Sequence, residues 1–554
     1  MKKLDTPQEL DAWRESCKNE LDHDRLRLRV CDGTGCRALG SQHVLTALRQ
    51  AVNGNNVEIM TTGCPGFCEQ GPLVTVDPQQ IAYQQVTTKH VHKIISDTLG
   101  KGEVISELLY VDPSNGQPVT TESELPYYKS QMRRVTDLNG QIDPHQIEHY
   151  IAHKGYMALS KALYDMSPDG IIEEVIRSQL RGRGGAGFPT GVKWKFCRQS
   201  PGDEKYVICN ADEGNPGAFT DRSLLEANPH RIIEGMIIGA RGIGATEGFI
   251  YIRSEYPLAI ENLNIALNQA REHGLLGKNI LGSGFDFNIQ LRLGAGAFVC
   301  GEETALMASI EGKPGEPRPR PPFPAQEGLW GKPSNINNVK SWASIPSIIA
   351  NGAEWFAGVG TEKSKGTAMF SMVGKINNPG VVEVPIGISL RELIFDAGGG
   401  IPDGKSFKAV QFGGPLGGCI PAQYLDTPID YESLTDLGAT MGSGGLVVAD
   451  ESTCMVDLAR YFMNFTQEES CGQCIPCRWG TKVMLDILTR ICNGQGEKGD
   501  IETLEQLANT VKTASLCGLG QAAPNPVLSS LRHFRDEYEA HVYDKRCPSK
   551  VCWK

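Results

Sequence analysis

Apolar and polar residues alternate along three short stretches near the start of the chain, and this pattern predicts three strands of a small sheet. Residues 26–30 read LRLRV, and the runs VEIMTT and LVTVD follow, with an amphipathic helix over about 43–52 after the first strand. A short helix is expected earlier, over about 5–25. The first strand runs directly into CDGTGC and the second into GCPGFC, so cysteines are expected just beyond two strand ends.

In the middle of the chain the apolar period becomes that of a helix. Helical spacing within IIEEVIRSQL is kept by Ile171, Ile172, Val175, Ile176 and Leu180. This helix leads into the glycine-rich run RGRGGAGFPTGVKW at 181–194, and the next strand, YVICN, ends in NADEGNPGAFTDR. Polar side chains are therefore expected at the carboxyl end of a strand, a frequent position for ligand-binding groups.

Two further patterns divide the rest of the chain. After about residue 363 come short β-rich runs, MFSMVGKI, GVVEVPIG, KAVQFGG and GGLVVAD. From about residue 450 the chain becomes helical, and one apolar stripe is expected from Leu458, Tyr461, Phe462 and Phe465. Residues 101–145 are rich in Pro, Ser, Thr and Gln and have no strong apolar period, which predicts an extended linker that packs on the next domain.

Length and charge narrow the class of protein. A chain of 554 residues is expected to hold several domains, and its net charge of −11 argues against a nucleic-acid partner. The sequence contains no apolar run of about 18–20 residues, so no membrane span is expected. The start MKKLDTPQELDAWRESC lacks the apolar centre of a signal peptide, and a cytoplasmic protein is expected.

The chain has 17 cysteines, and because cytoplasmic thiols are kept reduced, metal or redox clusters explain them better than disulfides. The spacings C-x4-C and C-x3-C in Cys31, Cys36, Cys64 and Cys68 suit a 2Fe-2S cluster. Zinc is the competing interpretation, although structural zinc prefers tighter pairs, and four unrelated thiols are the plainest one. With its strand pattern, this unit resembles the thioredoxin-like 2Fe-2S ferredoxins.

A second group of cysteines lies in ESCGQCIPCRWG. Cys471, Cys474 and Cys477 have the spacing C-x2-C-x2-C, and Cys517 in LCGLGQAAPNP is a distant fourth thiol. This combination predicts a 4Fe-4S cluster, with zinc on the same residues as the alternative.

The tail EYEAHVYDKRCPSKVCWK holds three more potential ligands. His541, Cys547 and Cys552 could bind zinc if Cys454 lies nearby. The alternative is a frayed tail with free thiols. Cys492, in RICNGQG, is expected to be a structural thiol at a helix end.

The glycine-rich run at 181–194 combines the chemistry that a phosphate and a flat ring require. Its glycines let the backbone approach a ligand closely, Arg181, Arg183 and Lys193 are cationic donors, and Phe188 adds aromatic surface. Gly182-x-Gly184-x-x-Gly187 formally matches a dinucleotide fingerprint. That fingerprint needs a strand before the loop, however, and here a helix is predicted instead.

Five long runs together resemble one family. They are RGRGGAGFPTGVKW, NADEGNPGAFTDR, GAFVCGEETAL, PRPRPPFPAQEGLWGKPSNINNV and ESCGQCIPCRWG. The family is the FMN- and NADH-binding flavoprotein subunit of respiratory complex I, with soluble relatives that serve NAD-linked hydrogenases and formate dehydrogenases. The resemblance covers about 140–540 and implies a cradle for FMN beside a cleft for NADH.

The resemblance also implies roles for individual residues. The FMN phosphate and ribityl chain would be held by Gly182, Arg183, Gly184, Gly185 and Lys193, with Asn337 and Asn338 at the phosphate end. The isoalloxazine would be approached by Asn210, Asp212 and Glu213, with Gly301, Glu302 and Glu303 as a second wall. NADH would be bound by Phe188, Phe196 and Phe323 around the adenine and by Glu303.

Three positions depart from the family pattern. Asn215 stands where an acid is usual near the nicotinamide, Phe298 where Tyr is frequent, and Arg320 where a Lys often contacts the dinucleotide. Arg320 without that acid is a hint that a 2′-phosphate is tolerated.

These observations predict a multidomain α/β protein. The expected parts are a thioredoxin-like 2Fe-2S domain (1–100), a linker (101–145), an α/β FMN/NADH-binding domain (146–362), a ubiquitin-like β-grasp domain (363–449), a helical bundle with the 4Fe-4S cluster (450–540) and a cysteine-containing tail (541–554). The predicted function is hydride exchange between NAD(H) and FMN. Single electrons then pass through iron–sulfur clusters to partners.

The expected partners are a small 2Fe-2S thioredoxin-like subunit and an iron–sulfur subunit of a soluble hydrogenase or formate dehydrogenase. Flavin-based electron bifurcation to ferredoxin is an open extension of this prediction. The alternatives are an NADPH–ferredoxin type oxidoreductase subunit and a non-catalytic electron-relay scaffold.

Overall fold

The computed structural model describes residues 3–21, 25–52 and 57–553. Its first helix, α1 (Pro7–Glu20), packs on the helix Ile147–Ala152 and not on the first sheet. Leu10 is fully buried in the core of the second unit, and Trp13 stacks on His273 with 4.4 Å between ring centroids. The structure therefore differs from the predicted 1–100 domain, because the apolar residues of α1 find their partners elsewhere. Of the helix predicted over about 5–25, residues 22–24 lie outside the described residues.

The first unit is a four-stranded sheet with helices beside it. Its elements are β1 (Arg27–Cys31), α2 (Thr34–Ala38), α3 (Ser41–Ala51), β2 (Glu58–Thr62), β3 (Val74–Asp77), β4 (Ile81–Tyr83) and α4 (Val91–Lys93), which continues as a π-helical stretch over Ile94–Leu99. The strand order is β2-β1-β3-β4, with β1 parallel to β2 and the other pairs antiparallel. Since β1 and β2 are parallel neighbours, the loops after them meet at one edge of the sheet.

The segment 101–145 contains short elements of its own. They are β5 (Tyr110–Val111), β6 (Pro118–Val119) and α5 (Pro126–Lys129). Tyr127 is fully buried, and its hydroxyl donates to the carbonyl oxygens of Gly66 and Val381, both at 2.8 Å. The segment predicted as an extended linker is thus a packed connection between the first sheet and the third.

The second unit is built around a four-stranded parallel sheet. Its elements are α6 (Ile147–Ala152), α7 (Met157–Tyr164), α8 (Pro168–Arg177), α9 (Thr190–Gln199), β7 (Tyr206–Ala211), α10 (Thr220–Ala227), α11 (Pro229–Ile243), β8 (Glu247–Arg253), α12 (Pro257–Glu272), β9 (Asn288–Gly294), α13 (Glu303–Ile310), β10 (Ser334–Asn338), α14 (Val339–Asn351) and α15 (Ala353–Ala357). The strand order is β10-β7-β8-β9, and every pair is parallel. In such a sheet the carboxyl ends of the strands share one edge, which is where ligands bind.

The third unit is a five-stranded mixed sheet. Its elements are β11 (Thr367–Gly374), β12 (Gly380–Pro385), β13 (Phe407–Phe412), β14 (Gly418–Pro421), α16 (Tyr431–Asp436) and β15 (Gly445–Asp450), in the order β12-β11-β15-β13-β14. β11 and β15 are parallel and the other pairs are antiparallel. The β-grasp assignment of this region stays a prediction.

The helical unit completes the chain. Its helices are α17 (Met455–Glu468), α18 (Ile475–Cys492), α19 (Asp500–Ala514), α20 (Gly518–Ala522), α21 (Asn525–His533) and α22 (Arg535–Val542). On α17 the predicted stripe is wrong for Tyr461, which is 54% exposed, whereas Phe462 is buried. Among the helices of the described ranges, none combines the length and apolar character needed to cross a bilayer.

Candidate functional site

The glycine-rich run forms a loop between two helices. α8 leads into it, α9 leaves it, and a bridge between Arg181 and Pro189 closes it. Glycine is required at Gly187, where φ is +65° and an added Cβ would lie 2.5 Å from the ring of Tyr431. The helix before the loop agrees with the sequence prediction and excludes the strand–loop–helix arrangement of a dinucleotide fingerprint.

Two arginines of this loop hold it against the third unit. The buried guanidinium of Arg183 donates to the carbonyl oxygens of Thr367, Lys365 and Arg181 at 3.1, 2.6 and 2.8 Å. Arg181 forms an ion pair with Glu432 at 2.6 Å. The structure thus gives Arg183 protein partners where the sequence predicts a phosphate contact, and the side chain fixes the shape of the loop.

A carboxylate held between two cations lies beside the loop. Glu303 accepts from Lys193 at 2.9 Å and from Arg320 at 2.7 Å. Burial opposes ionisation of Glu303, but the two cations together hold its pKa below the ordinary value. The side chains of Lys193 and Arg320 remain 23% and 39% exposed, so both are available to an anionic ligand.

The parallel sheet brings the predicted asparagines to its carboxyl edge. β10 and β7 pair in register, with Asn337 opposite Cys209 and Asn338 opposite Asn210. The side chain of Asn210 donates to the carbonyl oxygen of Gly301 at 2.8 Å. This bond joins the edge of the sheet to the turn before α13, which is the predicted second wall of the cleft.

Three of the predicted cofactor residues use their side chains to cap helices. The carboxylate of Glu213 accepts from two backbone N–H groups at the start of α10, both at 3.0 Å. Glu302 accepts from two N–H groups of α13 at 2.9 and 3.0 Å, and Asn338 accepts from one of α14 at 2.9 Å. These groups therefore orient three helices around the cleft.

Asp212 differs from the other acids of the cleft because its carboxylate has no hydrogen-bond partner in the part of the chain that the structure describes. Its side chain is 1% exposed, and Arg253 Nη1, which also lacks a hydrogen-bond partner among the described residues, lies 3.8 Å away. Burial raises the pKa of Asp212 to about 7, against the opposing effect of Arg253. Within the described ranges, Asn215 Oδ1 is another buried atom without a hydrogen-bond partner. Since such atoms are costly, this group fits a polar ligand such as FMN, which would complete it.

The three predicted adenine contacts are half-exposed phenylalanines. Phe188, Phe196 and Phe323 are 49%, 51% and 52% exposed. Exposed aromatic rings beside a phosphate-binding loop offer flat apolar surface to a planar ligand. Their role in binding NADH stays a prediction.

The first group of cysteines is assembled by the two loops after β1 and β2. The Sγ atoms of Cys64 and Cys68 lie 3.3 Å apart, and Cys31 is within hydrogen-bond reach of Cys36 and Cys64. The backbone N–H of Gly66 donates to Cys64 Sγ at 3.3 Å. The predicted thiols therefore converge, and a backbone donor is directed at one sulfur, which suits a cluster.

This group is docked on helix α10 of the second unit. Glu226 is buried and accepts from Thr34 N at 2.9 Å and from Thr34 Oγ1 at 2.5 Å. An added Cβ at Gly63 would lie 2.2 Å from Cα of Ala227. Because Glu213 caps the other end of α10, this helix of eight residues leads from the cleft to the first cysteine group, over about 12 Å.

The second group of cysteines lines one cavity between the helical unit and the cleft. Its thiols are Cys471, Cys474, Cys477 and Cys517, and Val299 of the turn Phe298–Gly301 closes the cavity from the side of the cleft. Phe298 N donates to Glu469 Oε2 at 2.8 Å, which fastens the same turn to the residue that follows α17. One turn of chain thus lies between the predicted flavin wall and the predicted 4Fe-4S ligands.

The four predicted zinc ligands come together at the end of the chain. The donor atoms of Cys454, His541, Cys547 and Cys552 all lie within 4.8 Å of one another. His541 Nδ1 lies 2.7 Å from the carbonyl oxygen of Glu537, which favours a proton on Nδ1 and leaves Nε2, 3.5 Å from Cys454 Sγ, available as a ligand. The set fits a single tetrahedral ion by its donors and its compactness.

Sequence reasoning missed three features of these sites. Arg253 stands at the carboxyl end of β8, and its place after the run GFIYI could have marked it. Lys340 and Asp221 form a buried ion pair at 2.7 Å that no sequence signal indicates, since they are far apart in the chain. Cys492, predicted to be only structural, has its Sγ in a second compact group with Asp457 and Cys552.

Four regions match models of protein families. Residues 19–99 match the thioredoxin-like [2Fe-2S] ferredoxin, 175–347 the Nuo51 FMN-binding domain, 369–419 the SLBB domain, and 457–541 the NADH-ubiquinone oxidoreductase-F iron-sulfur binding region. These matches confirm the expected 2Fe-2S, FMN-binding and 4Fe-4S regions. For the first two cysteine groups they favour iron–sulfur clusters over zinc.

Several proteins are similar to this chain over most of its length. The NADP-reducing hydrogenase subunit HndC of Solidesulfovibrio fructosivorans is 57% identical over 76% of this chain and 86% of its own length. An F-type subunit of the NADH-quinone oxidoreductase of Rhizobium meliloti is 47% identical over 73% of this chain and 96% of its own. A solved NAD+-reducing [NiFe]-hydrogenase in the H2-reduced state has a chain that is 29% identical with a TM-score of 0.67, covering 97% of this chain and 87% of that one.

Proposed function

Because this chain belongs to the family of F-type subunits of NADH-quinone oxidoreductases, we propose that it exchanges a hydride between a nicotinamide dinucleotide and FMN and passes single electrons to partner subunits. It has the FMN-binding, 4Fe-4S and 2Fe-2S regions of an NADH oxidoreductase subunit. The observation that carries the proposal is that the residues predicted to bind FMN, here called the cleft, lie between two cysteine groups. The turn Phe298–Gly301 separates the cleft from one group, and α10 leads to the other.

FMN, when bound, supplies the conversion between two-electron and one-electron chemistry. The residues of this chain bind the cofactor and the dinucleotide and orient them. The loop at 181–194 lets the backbone approach the ligand, and Lys193 and Arg320 offer cationic donors to phosphate groups. Asn210 fixes the wall at Gly301, and the half-exposed phenylalanines offer flat surface to the dinucleotide.

The dinucleotide is NAD(H) in the preferred form of this proposal. A carboxylate such as Glu303 suits a ribose hydroxyl and repels a 2′-phosphate. Arg320 partly neutralises that carboxylate, and one similar protein is named as a subunit of an NADP-reducing hydrogenase. Oxidation of NADPH is therefore the second candidate.

The first prediction tests the function directly. The purified protein is expected to release flavin on denaturation and to reduce a viologen dye with NADH faster than with NADPH, since Glu303 keeps a negative charge. Flavin fluorescence and dye reduction with both coenzymes are the measurements. A chain without flavin, or without reduction by either coenzyme, would contradict the proposal and favour the non-catalytic relay scaffold. A faster rate with NADPH would favour the second candidate.

The partners that we propose are an iron–sulfur subunit of a soluble hydrogenase or formate dehydrogenase and a small thioredoxin-like 2Fe-2S subunit, with ferredoxin as a further acceptor if electrons are bifurcated. Apolar side chains on α18 support an attached subunit next to the 4Fe-4S ligands. Ile475, Trp479 and Val483 are 65%, 61% and 41% exposed and lie one turn apart on one face. We place the complex in the cytoplasm, where its many thiols would stay reduced.

We also propose that Cys454, His541, Cys547 and Cys552 hold one zinc ion that fastens the tail to the helical unit. The support is the compact donor set and the carbonyl of Glu537 behind the imidazole. Both α17, which begins beside Cys454, and α22, which carries His541, would be joined to the tail by this ion.

The second prediction concerns this metal. Cys547→Ser is expected to lower the zinc content from about one ion per chain to nearly none, because three ligands hold structural zinc poorly. Iron content should not change. Elemental analysis of both metals is the measurement, and Cys197→Ser, at a buried thiol of the second unit, is the control. Equal zinc in the wild-type and Cys547→Ser proteins would contradict the site.

A further inference from the structure

A hydride consists of one proton and two electrons, and the proposed function sends these particles to different places. The electrons leave one at a time through the cysteine clusters. The proton cannot follow them, because an iron–sulfur cluster carries electrons only. If the proposed function holds, the cleft must therefore release one proton for each hydride that it receives.

Most acids around the cleft are already engaged. Glu213 and Glu302 cap helices, Glu303 is paired with two cations, and Asp221 is paired with Lys340. In these carboxylates, donors of the protein already occupy the oxygen atoms to which a proton would be added. Asp212 is the exception, because both of its oxygens lack a donor in the described part of the chain.

Charged side chains extend from Asp212 towards the protein surface. An added Cβ at Gly301 would lie 3.5 Å from Asp212 Oδ2, so the carboxylate lies against the cleft wall. Arg253 lies on its other side, at 3.8 Å. The same guanidinium pairs with Glu255 at 2.8 Å, and the side chain of Glu255 is 47% exposed. A buried acid, a guanidinium and a surface acid thus follow one another outward.

We propose that Asp212 is the proton acceptor of the cleft. The carboxylate takes the proton that remains when the two electrons of the hydride have left for the clusters, so that COO⁻ and H⁺ become COOH. Because the Arg253 guanidinium stays protonated and cannot carry the proton, Asp212 then gives it to water that enters the cleft and returns to its ionised form. Per turn one hydride is consumed, two electrons go to the clusters and one proton goes to water.

The charges around Asp212 suit this exchange near neutral pH. Burial raises the pKa of the carboxyl to about 7, since desolvation exceeds the effect of Arg253. Glu255 and Glu469 add negative charge and raise it further. Tyr251 and Cys300 are the other titratable groups beside it, and burial keeps both protonated at neutral pH by raising their pKa values. A group with a pKa near the working pH both accepts and releases a proton readily.

The experiment compares the flavin-loaded wild-type protein with Asp212→Asn and Asp212→Glu by stopped flow. Flavin absorbance reports hydride transfer from NADH, and cluster absorbance reports the exit of electrons. In Asp212→Asn we expect electron exit to slow on the order of 100-fold and to lose its dependence on pH near neutrality, because an amide cannot accept the proton. Asp212→Glu should restore part of the rate with a shifted pH profile. Asp426→Asn, at an exposed carboxylate in the third unit, is the matched control.

A second readout does not depend on turnover. In the infrared spectrum of the wild-type protein we expect a carboxyl band that appears and disappears between about pH 6 and 8, and that is absent from Asp212→Asn. Electron exit with the same rate and pH profile in wild type and Asp212→Asn would overturn the proposal. If Asp212→Asn holds no flavin, the proposal is overturned by a wild-type protein without such a band, or by equal pH profiles in wild type and Asp212→Glu. A wild-type protein whose flavin neither coenzyme reduces would instead overturn the proposed function.

Discussion

Replacing Cys477 by serine is expected to remove the 4Fe-4S cluster and to stop the exit of electrons while the flavin stays reducible. Cys477 is buried, and its Sγ lies 3.2 Å from Ser470 Oγ within the cavity that it shares with the other three thiols. Mutating the residues that orient a metal ligand typically lowers metal affinity or activity 10–100-fold. Loss of a ligand itself should therefore lower electron delivery by at least ~100-fold. Iron should fall by about four atoms per chain. Iron analysis, flavin reduction by NADH and reduction of cytochrome c, a one-electron acceptor too large to enter the cleft, are the measurements.

Cys419→Ser is the matched control for Cys477→Ser. Cys419 is a buried thiol in the third unit, on strand β14, away from the cavity. It should keep full iron and full electron delivery. If Cys477→Ser also kept both, the electrons would leave by another route, and the assignment of this cavity as the exit would be wrong.

Gly187→Val is expected to empty the flavin site. Gly187 has φ of +65°, which is costly for a β-branched residue, and its Cβ would overlap the ring of Tyr431 at 2.5 Å. Tyr431 also donates to the carbonyl oxygen of Gly182 at 2.9 Å, so displacing the ring disturbs the loop at Gly182 as well as at Gly187. Strain of roughly 1–3 kcal/mol lowers affinity by about tenfold or more, and flavin content should fall to about one tenth.

The measurement for Gly187→Val is flavin per chain, together with iron per chain. Iron should remain, because neither cysteine group touches this loop. Gly100→Ala is the control, since Gly100 has ordinary backbone angles and an added Cβ would lie 3.4 Å from its nearest neighbour. A variant with full flavin would show that the cradle does not need the observed shape of the loop.

The two cluster-binding regions were within reach of the sequence because the chemistry of their cysteines depends on short spacings. Cys471, Cys474 and Cys477 follow one another within seven residues, and the two loops of the first unit follow strands whose alternation is visible. The proposed zinc site needed a distant fourth residue, Cys454, and the sequence supplied only its residue type. These sites depend on local order along the chain, which a sequence displays directly.

The roles of the charged residues in the cleft were not predictable in the same way. Arg183 and Glu213 have the types that bind a cofactor, but Arg183 donates to carbonyls of the third unit and Glu213 caps α10. Whether a charged side chain is free depends on contacts made by distant segments. Asp212 became distinctive only when the partners of its neighbours were known.

The position of α1 shows that a domain boundary also depends on contacts with distant segments, which the sequence does not display. Its apolar face is visible in the sequence, but the surface that covers it is not. Leu10 could have packed on the sheet that follows at once in the chain, and it packs on the second unit instead. Tyr461 is the reverse case, since it keeps helical spacing with Phe462 and Phe465 and yet faces solvent.

The packed connection over 101–145 also keeps the first cysteine group attached to the rest of the chain. A separate carrier would occupy its docking surface on α10 only in proportion to its concentration. Here Tyr127 ties the first sheet to the third, and Thr34 meets Glu226 within the same chain. Even a flexible tether gives an effective concentration of about millimolar, and a packed one places the carrier permanently. Each cleft therefore keeps its own first cysteine group when the protein is diluted.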